Sequence, residues 1–173
     1  MNDITRLLCW GMTSHIPNTS ENVVFLDYDF TGLRRINRII KSLQYNFGLS
    51  TAYIAQTGQT RHHVVFLDRL PHDVWTRVIK ASQCHDGYGF HLDQQGYAIL
   101  RLIKKGANPA PQFLLSAPSK NRKYKQSVLH GMILSKFWEV PESELRLTNP
   151  DRNQLWESVY YFTDNARFSQ RHK

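Results

Sequence analysis

The stretch from Asn22 to Asp29 (NVVFLDYD) sets β-branched and aromatic residues at strand length, ends on two acids and stops at Thr31-Gly32. The next segment, LRRINRIIKSLQYNFG, changes period: Leu33, Ile36, Ile39, Ile40, Leu43 and Phe47 recur at helical spacing, with Gly48 as a C-terminal stop. A strand handed directly to an amphipathic helix is the start of a crossover unit. That excludes an all-β sandwich and a helical bundle and calls for a layered α+β fold.

The continuation repeats the logic. Thr51 to Gln56 is a short strand, Thr57-Gly58-Gln59 a turn and His62 to Leu67 a third strand, so the two strands form a hairpin. PHDVWTRVIKAS then carries Pro and Asp in a first turn and Val74, Trp75, Val78 and Ile79 on one face. The order is βαββα. Tyr97 to Ile103 reads as another strand, Asn108-Pro-Ala-Pro-Gln as a loop and QFLLS as a last strand. QSVLHGMILSKFW places Val128, Leu129, Met132, Ile133 and Phe137 on one helical face, and NQLWESVYYFTDNARF reads as a terminal helix. The expected architecture is a mixed β-sheet with helices on one or both faces, similar to the split βαβ unit of the RNA-recognition-motif type. One domain over residues 1–173 is expected, with a core of about 22–115, a basic segment and helices over 116–168, and a frayed tail from Phe168.

No run approaches the roughly 18–20 apolar residues of a membrane span, and MNDITRLLCWGM resembles no cleaved leader, so no membrane partner and an intracellular site of action are expected. Cys9 and Cys84 are too few for a disulfide framework or a paired-Cys zinc site and are expected to be buried thiols. Charge is more informative. With 22 Lys+Arg against 14 Asp+Glu the formal charge is +8, and Arg101, Lys104, Lys105, Lys120, Arg122, Lys123 and Lys125 occur without one acid between 101 and 125. Such a segment suits a polyanion, with Tyr124 placed to stack on a base; the alternative is a solvated basic loop.

Strand alternation puts Asp27 and Asp29 on one face near the strand end, about 7 Å apart at the backbone. Oxygen ligands in that arrangement suit Mg²⁺ or Mn²⁺, although two acids can also simply end a strand. In Arg61-His62-His63 the adjacent imidazoles must point to opposite faces, so one His can look into a given site. It would bind a nucleotide phosphate or orient a carboxylate, unless merely packed. Asp86 follows the second helix as a further carboxylate, with Asp93 as an alternative nearer the next strand. Arg101, within an otherwise apolar strand, calls for a carboxylate or phosphate partner.

Asp27-Tyr28-Asp29, then Thr60-Arg61-His62, then Asp86 resembles the three motifs of the archaeo-eukaryotic primase (primase-polymerase) superfamily. The stretch HDGYGFHLDQQGYAILRLIKKGANPAPQF looks like the small primase-like proteins of mobile elements, viruses or plasmids. The resemblance covers about residues 22–115. It departs from the family where Thr60-Arg61 stands in place of a Ser or Gly preceded by a further Gly, which leaves open whether His62 or His63 is the functional imidazole. The resemblance implies template-directed nucleotidyl transfer on single-stranded DNA, with Asp27, Asp29 and Asp86 holding two divalent ions. It also implies that His62 contacts the phosphates of a nucleoside triphosphate. Arg101 with Lys104 or Lys105 would then neutralise the triphosphate or grip the template, and Lys120 to Lys125 would hold the nucleic-acid backbone. Helicase or other replication proteins are the implied partners.

Two other functions compete. A rolling-circle initiator nuclease would use a His-x-His metal pair and a helical tyrosine, for which Tyr160 and Tyr161 are the candidates, but adjacent His62 and His63 cannot share a strand face. A non-catalytic single-strand-binding module would use the basic segment and exposed aromatics, leaving the acids structural.

Overall fold

The computed structural model describes residues 11–84, 96–104 and 107–151. Among them the order is β1 (Gly11–Thr13), β2 (Glu21–Asp29), α1 (Leu33–Phe47), β3 (Ala52–Gly58), β4 (Arg61–Pro71), α2 (His72–Ala81), β5 (Ile99–Arg101), β6 (Gln112–Ala117) and α3 (Val128–Phe137). The chain is α+β, and no described helix is long and apolar enough to cross a membrane. The expected mixed sheet is replaced by two antiparallel ones: a four-stranded sheet ordered β2-β4-β3-β6 and a two-stranded sheet of β1 and β5.

Because β2 and β3 both run antiparallel to β4 and flank it, they are parallel to each other. Helix α1 is their crossover, so one split βαβ unit is present. A second is not. The strand after α2 pairs with β1 instead of returning to β2, and β6 adds at the far edge beside β3. Sequence reading overlooked β1, whose three residues are too few to show a period, and overextended β5, which forms a ladder over Ile99–Arg101 alone.

Helix α1 turns Ile36, Ile39, Ile40 and Leu43 inward. Full burial of such a side chain is worth roughly 1.5–3 kcal/mol, which makes this face the main anchor of the helix. It ends where Gly48 takes a left-handed conformation (φ 72°) and donates its N–H to the Gln44 carbonyl. Helix α2 packs beside α1 and against β2, tied by Trp75 Nε1 donating to the Val23 carbonyl (3.0 Å) and Tyr28 Oη to that of Ser82 (2.8 Å).

The opposite face is covered by α3. Phe25 meets the His130 ring edge-on, and Leu67 closes on Gly131, where an added Cβ would stand 3.4 Å from its Cδ1. The buried stripe of α3 is Val128, Leu129, His130, Gly131 and Leu134, with Met132, Ile133 and Phe137 only partly covered. That corrects the expected face, because this helix is apolar around most of its circumference and periodicity cannot say which side turns inward. His130 is held at both ring nitrogens, Nδ1 by Ser127 Oγ (2.7 Å) and Nε2 by the Thr13 carbonyl (2.9 Å).

The last described segment is locked in by buried polar groups. Gln126 donates to Ser50 Oγ and accepts from the Asn149 amide, and Asp68 accepts from both the amide and hydroxyl of Ser50. Arg69 pairs with Glu21 and Asp151. Trp75, Trp138 and Cys84 are buried as expected. Cys9, Trp10, Trp156, Tyr160, Tyr161 and the expected terminal helix and tail lie outside the described residues.

Candidate functional site

Antiparallel pairing of β2 with β4 sets Asp27 opposite His63 and Asp29 opposite Arg61. Alternation puts both rungs on the α3 face. The side chains meet: His63 Nε2 lies 3.5 Å from Asp27 Oδ1, and Arg61 Nε 3.1 Å from Asp29 Oδ1. Two acids, an imidazole and a guanidinium thus occupy alternate rungs on one face at the end of the sheet where the β3–β4 turn lies. The carboxylates remain open to solvent, Asp27 at 34% and Asp29 at 25%, while the imidazole sits below them at 8%.

His62 pairs in register with Tyr28 and so lies on the α1/α2 face. Of the two imidazoles it is His63 that shares the aspartate face. Burial, reinforced by the charges of Arg101 and His62, pulls the His63 pKa from 6.5 to about 3, so the ring is neutral at pH 7. Trp138, just beyond α3, lies over it with ring centroids 6.3 Å apart. Among the described residues no protein group hydrogen-bonds to the buried His62 Nδ1, His63 Nδ1 or Trp138 Nε1, of which the latter two lie on the aspartate face. Such orphaned polar atoms are uncommon in folded chains.

Arg101 is near enough to His63 to influence its titration, and among the described residues no carboxylate lies within ion-pair distance of it. Its Nη1 donates to the carbonyls of Ile103, Asn108 and Pro109 (3.0, 3.3 and 2.6 Å), which satisfies the cation by pinning the loop after β5. Lys104 is exposed in that loop. Lys105, Asp86 and Asp93 lie outside the described residues, and among the described residues no group of three metal-ligating side chains forms.

The basic segment lies elsewhere. Arg69 donates its N–H to the Lys125 carbonyl, eight residues along β4 from Arg61, or roughly 26 Å at the rise of a strand. Lys120, Arg122, Lys123 and Lys125 are exposed there, at the end of the sheet opposite the two aspartates. Tyr124 is partly buried beneath the Lys123 ammonium, 5.0 Å from its ring centroid, and Lys125 reaches Asp151 (3.8 Å).

Sequence reasoning missed Phe30. It follows Asp29, is 79% exposed and holds φ at +56°, with its N–H donated to the Thr60 carbonyl. A left-handed conformation strains a bulky residue by about 1–2 kcal/mol, and here burial of the ring does not offset it. The signal available in sequence was an aromatic between Asp29 and Thr31-Gly32 where a turn would favour Gly or Asn.

Comparison with family models, with curated proteins and with solved structures finds no match to this chain.

Proposed function

We propose that this chain is a small primase-polymerase-like nucleotidyltransferase that joins nucleotides on a single-stranded DNA template with Mg²⁺ or Mn²⁺. The observation that carries this reading is the pair of alternate rungs, Asp27 with His63 and Asp29 with Arg61, on one face of an open sheet end. Carboxylate oxygens suit either ion, and a separation of 3.5 Å between Asp27 Oδ1 and His63 Nε2 suits two donors on one cation with bonds of roughly 2.0–2.2 Å. Asp27 and Asp29 would hold the metal, with Asp86 or Asp93 as the third acid. When bound, divalent ions acidify the attacking 3′-hydroxyl and neutralise the leaving pyrophosphate.

The protein groups have their own parts. Neutral His63 presents Nε2 to Asp27, where it orients the carboxylate or supplies a nitrogen ligand. Arg61 is half exposed and offers a planar fork that exchanges Asp29 for a triphosphate oxygen. Phe30 supplies an exposed ring beside the acids on which a base can stack.

One observation favours a second reading. Asp29 is already neutralised by Arg61, as it would be in a module that grips single strands without chemistry. Incubation with single-stranded DNA, labelled nucleotides and Mn²⁺ separates the two. New oligomers from the wild type, lost in Asp27→Asn and Asp29→Asn, support the transferase; no product from the wild type, or product from both variants, overturns it.

A further inference from the structure

The two aspartates and the basic segment stand at opposite ends of the sheet, and α1 runs between them. It begins at Leu33, four residues after Asp29, and ends at Gly48, against which the Lys123 side chain lies, 3.0 Å from the position of an added Cβ. Over 15 residues it covers about 22 Å. Its outward side is unusual for a surface helix. Arg34, Arg38, Lys41 and Tyr45 follow one another at steps of four, three and four, which places them within an arc of about 60° opposite the buried isoleucines. All four are exposed, and Tyr45 stands 89% clear of the protein.

Helix α1 contains no acid, and among the described residues none of its cations has a carboxylate within ion-pair distance. The basic segment is fixed to the end of the same stripe. Lys41 Nζ donates to the Pro118 carbonyl (3.1 Å), and Asn121 Nδ2 to those of Gln44 and Leu49 (2.9 and 3.0 Å). The exposed Lys120, Arg122 and Lys123 are therefore carried next to the end of the α1 stripe of Arg34, Arg38 and Lys41.

We infer that this outer face of α1, continued by Lys120 to Lys123, is a track for the phosphate backbone of a single-stranded nucleic acid, with Tyr45 stacking on one of its bases. Phosphates are what a line of exposed cations attracts through counterion release. An exposed ring amid those cations selects a strand with open base faces, which a duplex does not offer. A lipid surface is disfavoured because the arc carries no apolar side chain beyond Tyr45 to enter an acyl layer. The track is independent of the transfer reaction, since none of its residues belongs to the aspartate site.

The test is equilibrium binding of a labelled single-stranded oligonucleotide of about 20 nucleotides to the whole chain across a salt series. Each lost phosphate contact lowers the slope of log K against log salt by about 0.7, so Arg34→Gln, Arg38→Gln and Lys41→Gln together make it shallower by about 2. Tyr45→Ala weakens binding at least about fivefold without altering that slope. Lys136→Glu, on α3 across the sheet, leaves both unchanged, as does Asp27→Asn, so loss of transfer activity and loss of the track are told apart. An unchanged slope in the triple variant, equal weakening by Lys136→Glu, or binding of the wild type to anionic phosphatidylserine vesicles but not to the oligonucleotide overturns the inference.

Discussion

His63 Nε2 stands 3.5 Å from Asp27 Oδ1, whereas the preceding His62 shares a rung with Tyr28 on the other side of the sheet. Neighbours in sequence are therefore separated by the thickness of a sheet. His63→Ala is expected to lower Mn²⁺-dependent nucleotide incorporation by about 100-fold or more, in the range of lost catalytic positioning groups. His62→Ala leaves the rate within a few-fold and acts on stability through its packing. Single-turnover rates beside urea midpoints for the two variants make the comparison.

Phe30 carries strain that its exposure does not repay. Phe30→Gly is expected to raise stability by about 1 kcal/mol, since glycine accepts the left-handed backbone and little buried area is lost. The same change raises the KM for nucleotide if the ring stacks on a base. A higher Tm with an unaltered KM would leave Phe30 without that role.

Asp68 is buried among Ser50 donors and forms no ion pair among the described residues, and desolvation pushes its pKa from 3.8 to about 6. The folded chain holds this proton to higher pH than the unfolded chain does. Its stabilising contribution is complete below pH 3.8 and is lost as pH rises through about 6. Asp68→Asn keeps an acceptor for Ser50 without the charge. The variant is expected to be more stable than wild type at pH 7, by on the order of 2–3 kcal/mol, and level with it near pH 4. Urea midpoints at the two pH values measure the difference.

Arg69 joins Glu21 and Asp151, and the side chains of Arg69 and Asp151 are nearly covered (11% and 9% exposed). Arg69→Ala takes the nearly covered guanidinium away from Asp151 and is expected to cost about 3–5 kcal/mol. The double variant Arg69→Met with Asp151→Leu recovers most of that loss. Thermal unfolding of the three proteins tests the coupling.

Much of this fold was readable because its longer elements have strong periods. The apolar sets of β2 and α1, Gly48 as terminator and the turn between β3 and β4 each arise from local chemistry. The features that could not be read depended on tertiary partners. Gly11–Thr13 becomes a strand only because Ile99–Arg101 lies beside it, and α3 shows its inward face only against Leu67 and Phe25. For the site, alternation foretold that one imidazole would face Asp27, but which one required the register of β2 on β4. Arg101 depends on tertiary context in a similar way: a cation in an apolar strand must be satisfied, and backbone carbonyls of the loop that follows accept from its Nη1.

The Gln126 side chain, with no exposed surface, joins the chain just after α1 to the segment ahead of residue 151. Residues 22–115, which hold every described acid of the proposed site, consequently do not make a self-sufficient unit. A protein shortened to that stretch would bare Phe25, Val65 and Leu67 to water and leave Ser50 and Asp68 without the amide that completes their network. Residues 116–151 are not an appendage that could be trimmed or exchanged alone; they have to change together with the sheet they cover.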